Sequence, residues 1–267
     1  MLRARQLVHK LTTSTLFTWL AQLFLLMYAI TNINHSFGSC SVEKLQLGGR
    51  LTEPYHTVTG DGLVDQHIRL IFAGLNCKVE LLTIPSERSL RDSNRGLLDG
   101  DFVQLPNLDT TTYSNLIQIS PSYFSFFMAY VSLQNITYLD DSLSGYRIGA
   151  MVGMPLSAHA LNDVKIVRTK SYGQLMTLLQ RKRIDIAVLP IAVAYFYQKQ
   201  TCLTQLNIEV KPELKVNLHI YLHKKHQALV EPLSQEIESF KHSRRYQQLM
   251  RLFLKKGLNN ISAPTCD

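Results

Sequence analysis

The feature that most constrains this chain is a regular alternation of short apolar runs and amphipathic helical segments. The first strand is predicted at Lys44–Leu51 and the first helix at Leu63–Leu75, where apolar residues recur on one helical face. The next strands are predicted at Val79–Ile84 and Asp101–Leu105, with a helix at Ser89–Leu97 between them. Strands that alternate with helices of this length predict βαβ units and a mostly parallel sheet.

The same alternation returns in the second half of the chain. The predicted elements are strands at Tyr146–Val152, Val164–Val167 and Ile184–Leu189, and helices at Ser157–Asn162, Ser171–Gln180 and from Tyr195 onward. The segment Asn94–Val103 can be laid over Arg181–Val188, because each reads as a helix end, a basic turn, an Asp and an apolar strand. We therefore predict an α/β fold with two lobes of similar construction.

Two apolar, strand-like runs lie where the chain would pass between the lobes. Phe126–Leu133 would leave the first lobe, and Val216–Leu222 would return to it. The tail Leu229–Leu254 has apolar residues at helical spacing and is expected to pack as helices on the first lobe. We predict a first lobe at 41–132, a second lobe at 133–215, and a return strand with C-terminal helices at 216–267.

The N-terminal segment has the pattern of a secretory signal. Three basic residues and no acidic residue precede the apolar run Leu16–Ile30. Ser36 and Gly38 suit cleavage after Gly38, so residues 1–38 are predicted to be a leader, and the mature chain is expected in the periplasm. The competing interpretation is an uncleaved anchor, although the run is shorter than the roughly 20 apolar residues of a bilayer span. A lipid anchor on Cys40 ranks below cleavage, because no aliphatic residue stands where a lipobox needs one.

Charge and cysteine usage exclude several classes of function. The net charge is +8, of which the leader carries three, and the remaining +5 is scattered. Nucleic-acid binding would require basic residues clustered with aromatic ones, so it is not predicted. The four cysteines form no C-x-x-C pair, which gives no support to a zinc or redox site. Export permits disulfides; Cys202–Cys266 is one candidate, but the sequence does not select among the three complete pairings.

No catalytic or metal-binding motif stands out. Asp99 lies outside the predicted strand Asp101–Leu105, and no sequence motif pairs it with Asp101 for catalysis. His219 and His223 would lie about 13 Å apart on a strand, too far to share one metal ion. We interpret these histidines and His226 as surface residues. The sequence therefore predicts no cofactor, no metal site and no reaction.

The predicted elements resemble those of the family 3 extracellular solute-binding proteins, the substrate receptors of polar amino-acid ABC transporters. The resemblance covers about Leu45 to Leu254 and is carried by Glu53-Pro54-Tyr55, Gly62-Leu63-Val64-Asp65, Val79-Glu80-Leu81, Pro85 to Leu90, Gly96 to Gly100, Gly145-Tyr146-Arg147-Ile148-Gly149 and Leu178 to Ala187. It implies a periplasmic-binding-protein type II fold, with two hinge strands and a ligand cleft between the lobes. Such proteins close around the ligand by a hinge motion.

Pockets in open α/β folds lie where loops leave the carboxyl ends of strands. By that rule, and the resemblance, the predicted ligand-binding residues are Tyr55, Arg88, Asp101, Tyr123, Gly153, Met154 and Tyr172, with Pro190 near them. Arg88 is the candidate for an anionic ligand group. For Tyr55 and Tyr123 the alternative is a structural role, which is the stronger interpretation of Tyr123.

The sequence departs from the family at two positions that matter for the ligand. Amino-acid receptors usually hold the ligand carboxylate with an Arg soon after the strand that corresponds to Asp101–Leu105, but this chain has Gln104 and no Arg there. They usually hold the amine with an Asp at the end of the strand that corresponds to Ile184–Leu189, where this chain has Pro190. A buried charged group without its partner costs several kcal/mol. An ordinary α-amino acid is therefore not the expected ligand.

The leading hypothesis is a monomeric periplasmic solute-binding protein that captures a small polar ligand by lobe closure. It would deliver the ligand to an ABC-type transporter, with an inner-membrane permease as its partner. The alternative is a sensory or partner-binding module on the same fold. A lyase-like enzyme on this scaffold is the third hypothesis.

Overall fold

The computed structural model describes residues 22, 40, 43–134, 136, 143–154, 164–200 and 206–259. Its strands are β1 (Leu45–Gly49), β2 (Val79–Thr83), β3 (Gly100–Gln104), β4 (Leu116–Gln118), β5 (Phe124–Ser132), β6 (Ile148–Met151), β7 (Ile166–Thr169), β8 (Ile186–Pro190) and β9 (Asn207–His223). Its α-helices are α1 (Leu63–Gly74), α2 (Ser86–Asn94), α3 (Tyr172–Gln180), α4 (Ile191–Gln200), α5 (Val230–His242) and α6 (Arg244–Asn259), and a 3-10 helix spans Lys224–Leu229. None of the helices in this part of the chain is long and apolar enough to cross a membrane.

The described strands form one sheet in the order β2-β1-β3-β9-β5-β8-β6-β7, with β4 paired to β9. β1 pairs in parallel with β2 and β3, and β6 pairs in parallel with β7 and β8. We call β2-β1-β3 the first half-sheet and β8-β6-β7 the second half-sheet. The predicted βαβ units are confirmed in both. The predicted leader, apart from Gln22, and the predicted helix Ser157–Asn162 lie outside the described residues.

Two antiparallel strands, β5 and β9, join the half-sheets. β9 pairs with β3 and β4 near its carboxyl end and with β5 along most of its length, while β5 also pairs with β8. β9 has 17 residues and is far longer than the predicted Val216–Leu222. The prediction stopped short because Pro212 cannot donate to a ladder. The strand accommodates it through a register shift, in which Phe127 pairs with Lys215 but Met128 pairs with Lys211.

Other element boundaries differ from the prediction for local reasons. α2 begins at Ser86 rather than Ser89, directly after Pro85. Proline suits a helix start, and the polar first turn has no apolar residue before Leu90 that could mark it in a hydrophobic pattern. β7 lies two residues later than predicted, because its pairing with β6 aligns Ile148 with Ile166. β4 was not predicted, since three residues are too few for a periodic signal.

A disulfide joins Cys40 to Cys77, with the two Cα atoms 5.3 Å apart. This bond ties the segment before β1 to the turn between α1 and β2. Cys202 and Cys266, the candidate bridge of the sequence analysis, lie outside the described residues. A crosslink over 37 residues restricts the unfolded chain, which on loop-entropy grounds stabilises the fold by about 4 kcal/mol.

Two of the histidines interpreted as surface residues are in fact buried, so that interpretation was wrong for them. The Nδ1 atom of the buried His219 lies 2.9 Å from the carbonyl oxygen of Ile119. His226 lies 2.6 Å through Nε2 from the Asp99 carboxylate, which also forms an ion pair with Lys225. These contacts hold the end of β9 and the 3-10 helix against the first half-sheet. The sequence pattern missed His219 because β9 is covered on both faces there, and it missed His226 because the contact with Asp99 is distant in the sequence.

His67 lies at the centre of an aromatic cluster that joins α1 to the C-terminal helices. The ring is fully buried and contacts the rings of Phe124, Phe240 and Tyr246 at centroid distances of 5.1 to 5.4 Å. Among the described residues neither ring nitrogen has a hydrogen-bond partner. Burial lowers the pKa of His67 to about 4, since the charged imidazolium would lose its hydration.

We expect His67 to make the fold sensitive to acid. The unfolded chain takes up this proton near pH 6.5, whereas the folded chain does so only near pH 4, so stability falls as the pH drops between these values. At about 1.4 kcal/mol per unit of pKa, the loss amounts to about 3 kcal/mol. Urea unfolding of His67→Phe, which keeps a ring in the cluster, should lack this part of the pH dependence. His242→Phe, at an exposed histidine, is the matched control. An unchanged pH slope in His67→Phe would contradict the assignment.

Candidate functional site

The structure contains a cavity between the two half-sheets. It lies beyond the carboxyl ends of β1, β3 and β6, which is where open α/β folds place their ligands. Its lining comes from both half-sheets and from the joining strands: Arg50, Thr52, Tyr55, His56, Val64, Val103, Phe126, Met154, Tyr172 and Leu218. The space open to the centre of a water molecule is about 10 Å³. That is room for about one water.

Arg50 enters the cavity directly after β1. Close packing beneath the strand explains the two glycines that precede it: a Cβ on Gly48 would overlap the Ser89 hydroxyl, and one on Gly49 would lie 2.6 Å from the Phe102 ring. Nη2 of Arg50 lies 3.9 Å from the thioether sulfur of Met154, on the opposite side of the cavity. Nε is buried and has no hydrogen-bond partner among the described residues. Among the described residues, the buried Nε thus has no acceptor and Nη2 has a weak one.

Tyr172 faces Arg50 from the second half-sheet. It is the first residue of α3, whose N-cap Ser171 accepts a hydrogen bond from the backbone N–H of Gln174 at 3.2 Å. The hydroxyl is buried and has no hydrogen-bond partner among the described residues. Burial raises the pKa of Tyr172 to about 12, and the positive charge of Arg50 acts in the opposite direction. The group is therefore a neutral O–H donor at physiological pH.

Met154 is placed by a tight turn after β6. Gly153 has φ of +78°, a left-handed conformation that suits glycine, and the N–H of Met154 donates to the carbonyl of Met151 at 3.2 Å. Arg168 fixes the same turn, because its guanidinium donates to the carbonyl oxygens of Met151 and Met154 at 3.2 and 3.3 Å. The Met154 side chain is buried as a result.

Tyr55 forms the aromatic wall of the cavity. The first turn of α1 holds its backbone, because the N–H of Val64 donates to the Tyr55 carbonyl at 2.9 Å. The ring stacks on Phe126 of β5 and on Phe253 of α6, with centroid distances of 5.3 and 5.6 Å. Burial raises the pKa of Tyr55 well above its usual range. Tyr55 therefore connects the cavity to the joining strand β5 and to the C-terminal helix α6.

His56 fixes the loop that carries Tyr55. Its Nδ1 lies 2.6 Å from the Asp65 carboxylate, and its Nε2 lies 3.1 Å from the Thr83 hydroxyl. Asp65 also accepts from the N–H groups of Thr57 and Gly62. The order hydroxyl, imidazole, carboxylate is that of a nucleophile triad. Thr83, however, is not among the residues that line the cavity, and the network ties the loop to α1 and β2.

Asp101 lies beneath the cavity floor and is fully buried. It accepts hydrogen bonds from the Ser89 hydroxyl and, at 2.9 Å, from the backbone N–H of Val103. Burial raises the pKa of Asp101, while these donors and the nearby charge of Arg50 act against that rise. Gln104 donates to the Ser86 hydroxyl at 3.2 Å. Both side chains are therefore engaged inside the first half-sheet.

Three of the predicted ligand-binding residues, Tyr55, Met154 and Tyr172, line the cavity together. Asp101, Tyr123, Gly153 and Arg88 do not. Tyr123 is buried and donates to the Phe102 carbonyl at 2.5 Å. The Arg88 side chain is 68% exposed and pairs with Asp92, one turn along α2, at 3.3 Å. The residue predicted for an anionic ligand group thus lies on the outer surface.

The cationic residue that does line the cavity, Arg50, was missed. The sequence analysis looked for an Arg near Asp101–Leu105 because the family resemblance pointed there. The signal that could have found Arg50 is its position directly after the glycine pair that ends β1, at another carboxyl strand end. Among the described residues of the lining, Arg50 is the one side chain with a fixed charge, and none is Asp or Glu.

Comparisons with known proteins identify the fold. No protein-family model matches the chain, and no curated protein matches it. Among solved structures, an ancestral arginine-binding protein bound to glutamine is similar, with a TM-score of 0.65 at 19% identity over 79% of this chain and 98% of that one. The periplasmic VFT2 domain of Bordetella pertussis BvgS gives a TM-score of 0.67 at 15% identity, over 80% and 93% of the two chains.

A histidine kinase sensor domain with similarity to periplasmic binding proteins gives a TM-score of 0.64 at 13% identity, over 79% of this chain and 96% of that one. Identities this low show a shared fold and not a shared activity. The strand order, the two joining strands and these likenesses together establish the fold class. The chain has the two-lobed α/β fold of the periplasmic binding proteins.

Proposed function

We propose that this protein is a binding module that captures a small polar ligand between its two lobes. The observation that carries the proposal is the cavity, which is lined by residues of both half-sheets and lies at the carboxyl ends of their strands. A ligand there would contact both lobes at once. Its binding free energy would therefore favour the closed arrangement over the open one.

Lobe closure would take place about β5 and β9. The cavity has room for about one water, so a larger ligand enters only when the lobes separate. The register shift between Phe127 and Met128 marks an irregular point in both joining strands. We place the lobes at 41–132 and 133–215, with the return strand and C-terminal helices at 216–267. The pairing of β5 and β9 with both half-sheets supports these bounds.

We propose the periplasm as the location of this module. The predicted leader at 1–38 and the Cys40–Cys77 disulfide support it, since disulfides persist in oxidising compartments. An arginine-binding protein and an amino-acid ABC transporter's substrate-binding protein are among the similar structures. By analogy with them, we propose delivery to an inner-membrane permease and no reaction on the ligand.

The ligand class should emerge from a thermal-shift screen of amino acids, organic acids, polyamines, sugars and peptides. We expect one class to stabilise the protein by about 4 kcal/mol at a thousandfold excess over its Kd. The shift should disappear in Met154→Trp, because the indole would occupy the space between the lobes that a ligand needs when they separate. Val152→Trp is the matched control, since Val152 is 52% exposed on the same turn. A folded protein that no class stabilises would contradict the proposal.

A second candidate function is sensory, and the position of α6 favours it. α6 packs on α1 and α5 and also contacts α4, which follows β8 of the second half-sheet. Phe253 of α6 stacks on Tyr55 in the cavity wall. A ligand that displaces Tyr55 would therefore shift α6. Two of the similar structures are described as a sensor domain and a BvgS periplasmic domain.

Hydrogen–deuterium exchange would test this coupling. With the compound that gives the largest thermal shift, we expect the amide exchange of α6 to change in the wild type. Phe253→Ala should lose that change while the Kd stays within about threefold, because its ring touches Tyr55 and does not line the cavity. Leu252→Ala, at an exposed position on the same helix, should behave as the wild type. If the amide exchange rates of α6 were the same with and without the compound, the sensory function would be excluded.

A further inference from the structure

We propose that the ligand carries a carboxylate and no ammonium group, and that Arg50 and Tyr172 hold the carboxylate between the lobes. The proposal rests on the proposed binding function and names the ligand class of the same cavity. Independent elements position the two residues: Arg50 follows the end of β1, and Tyr172 begins α3.

Arg50 has a donor that the described part of the fold leaves unused. The residue is half-buried, its buried Nε has no partner among the described residues, and its Nη2 contacts the weak thioether acceptor of Met154. Leaving donors of a charged group unsatisfied in a buried place is costly. A planar carboxylate satisfies two guanidinium donors at once, because the fork of Arg matches its two oxygens.

The Tyr172 hydroxyl is a second unused donor. It is buried and has no hydrogen-bond partner among the described residues, and Tyr172 lines the same cavity from the side of the second half-sheet. An anion at Arg50 would provide the acceptor that this hydroxyl lacks. One ligand group would then satisfy unpaired donors from both lobes, and only in the closed arrangement.

An amine would find no acidic partner in the described part of the lining. No Asp or Glu is among the described residues that line the cavity, so an ammonium group would meet the charge of Arg50 without an acidic partner there. Two acidic residues close to the lining are already engaged: Asp65 with the lining residue His56, and Asp101 with Ser89 and Val103. Pro190, where the family resemblance implies an Asp, has neither an acidic side chain nor an N–H.

The test compares ligands of one skeleton by titration calorimetry on the full chain. L-Lactate carries a carboxylate and a hydroxyl, L-alanine adds the ammonium group instead, and L-lactamide lacks the charge. L-Phenyllactate, L-phenylalanine and L-phenyllactamide repeat the comparison for a larger ligand. We expect at least one 2-hydroxy acid to bind at least about tenfold more tightly than both its amino-acid and its amide counterparts.

The variants separate this role from a structural one. Arg50→Gln should weaken binding of that acid at least about tenfold, whereas Arg88→Gln, which removes the same charge from the surface, should not. Tyr172→Phe should weaken binding about tenfold while leaving the melting temperature equal or higher, because the removed hydroxyl has no partner among the described residues. A Tyr172→Phe protein that is destabilised but binds normally would overturn the assignment.

The outcomes distinguish this inference from the function it rests on. Tighter binding of the amino acid or amide than of the hydroxy acid would overturn the inference and leave the binding function standing. If compounds of other classes in the screen bound and none of these acids did, the inference would likewise be overturned and the binding function would stand. The absence of binding by every class would overturn both.

Discussion

The rest of the structure depends on the ladder that β9 makes with both parts of the sheet. Its carboxyl-terminal end is hydrogen-bonded to β3 and β4, and the remainder pairs with β5, which is bonded to β8. The two half-sheets are therefore parts of one sheet, joined through two antiparallel strands. This arrangement brings the carboxyl ends of β1, β3 and β6 to one cavity. Without β9 the residues that line that cavity would belong to separate units.

Most buried ionisable groups around the first half-sheet are paired, as in His56–Asp65 and His226–Asp99. The buried His67, whose ring nitrogens have no hydrogen-bond partner among the described residues, is enclosed by aromatic rings. In the cavity, the Arg50 Nε and the Tyr172 hydroxyl have no such partner among the described residues. Buried polar groups in native proteins are nearly always hydrogen-bonded, so these exceptions call for an explanation. A ligand that supplies the missing acceptor is the explanation that we propose.

The local elements could be predicted from the sequence because their signals are local. β1, α1, β2 and β3 lie where the hydrophobic pattern placed them, to within a few residues. β9 was underestimated because Pro212 interrupts the pattern that the register shift restores in three dimensions. The pairing of Cys40 with Cys77 could not be predicted, since spacing does not determine connectivity.

The site was less predictable, because its composition depends on which strand ends converge. Tyr55, Met154 and Tyr172 follow strands in the sequence and do line the cavity, although their role in binding stays a prediction. Arg88 follows a strand as well, but the first turn of α2 directs it to solvent beside Asp92. Arg50 was not predicted because the family resemblance implies an Arg after another strand, Asp101–Leu105. Residue type alone does not distinguish these two arginines; burial and unpaired donors do.

The most direct test of the account is a crystal structure of the protein grown with the compound that stabilises it most. We expect electron density for that compound between the half-sheets, with its carboxylate oxygens within about 3.2 Å of the Arg50 guanidinium and the Tyr172 hydroxyl. We also expect a cavity enlarged beyond the present water-sized space. Density at any other place on the molecule, with the Arg50–Tyr172 cavity unchanged, would contradict the central claim.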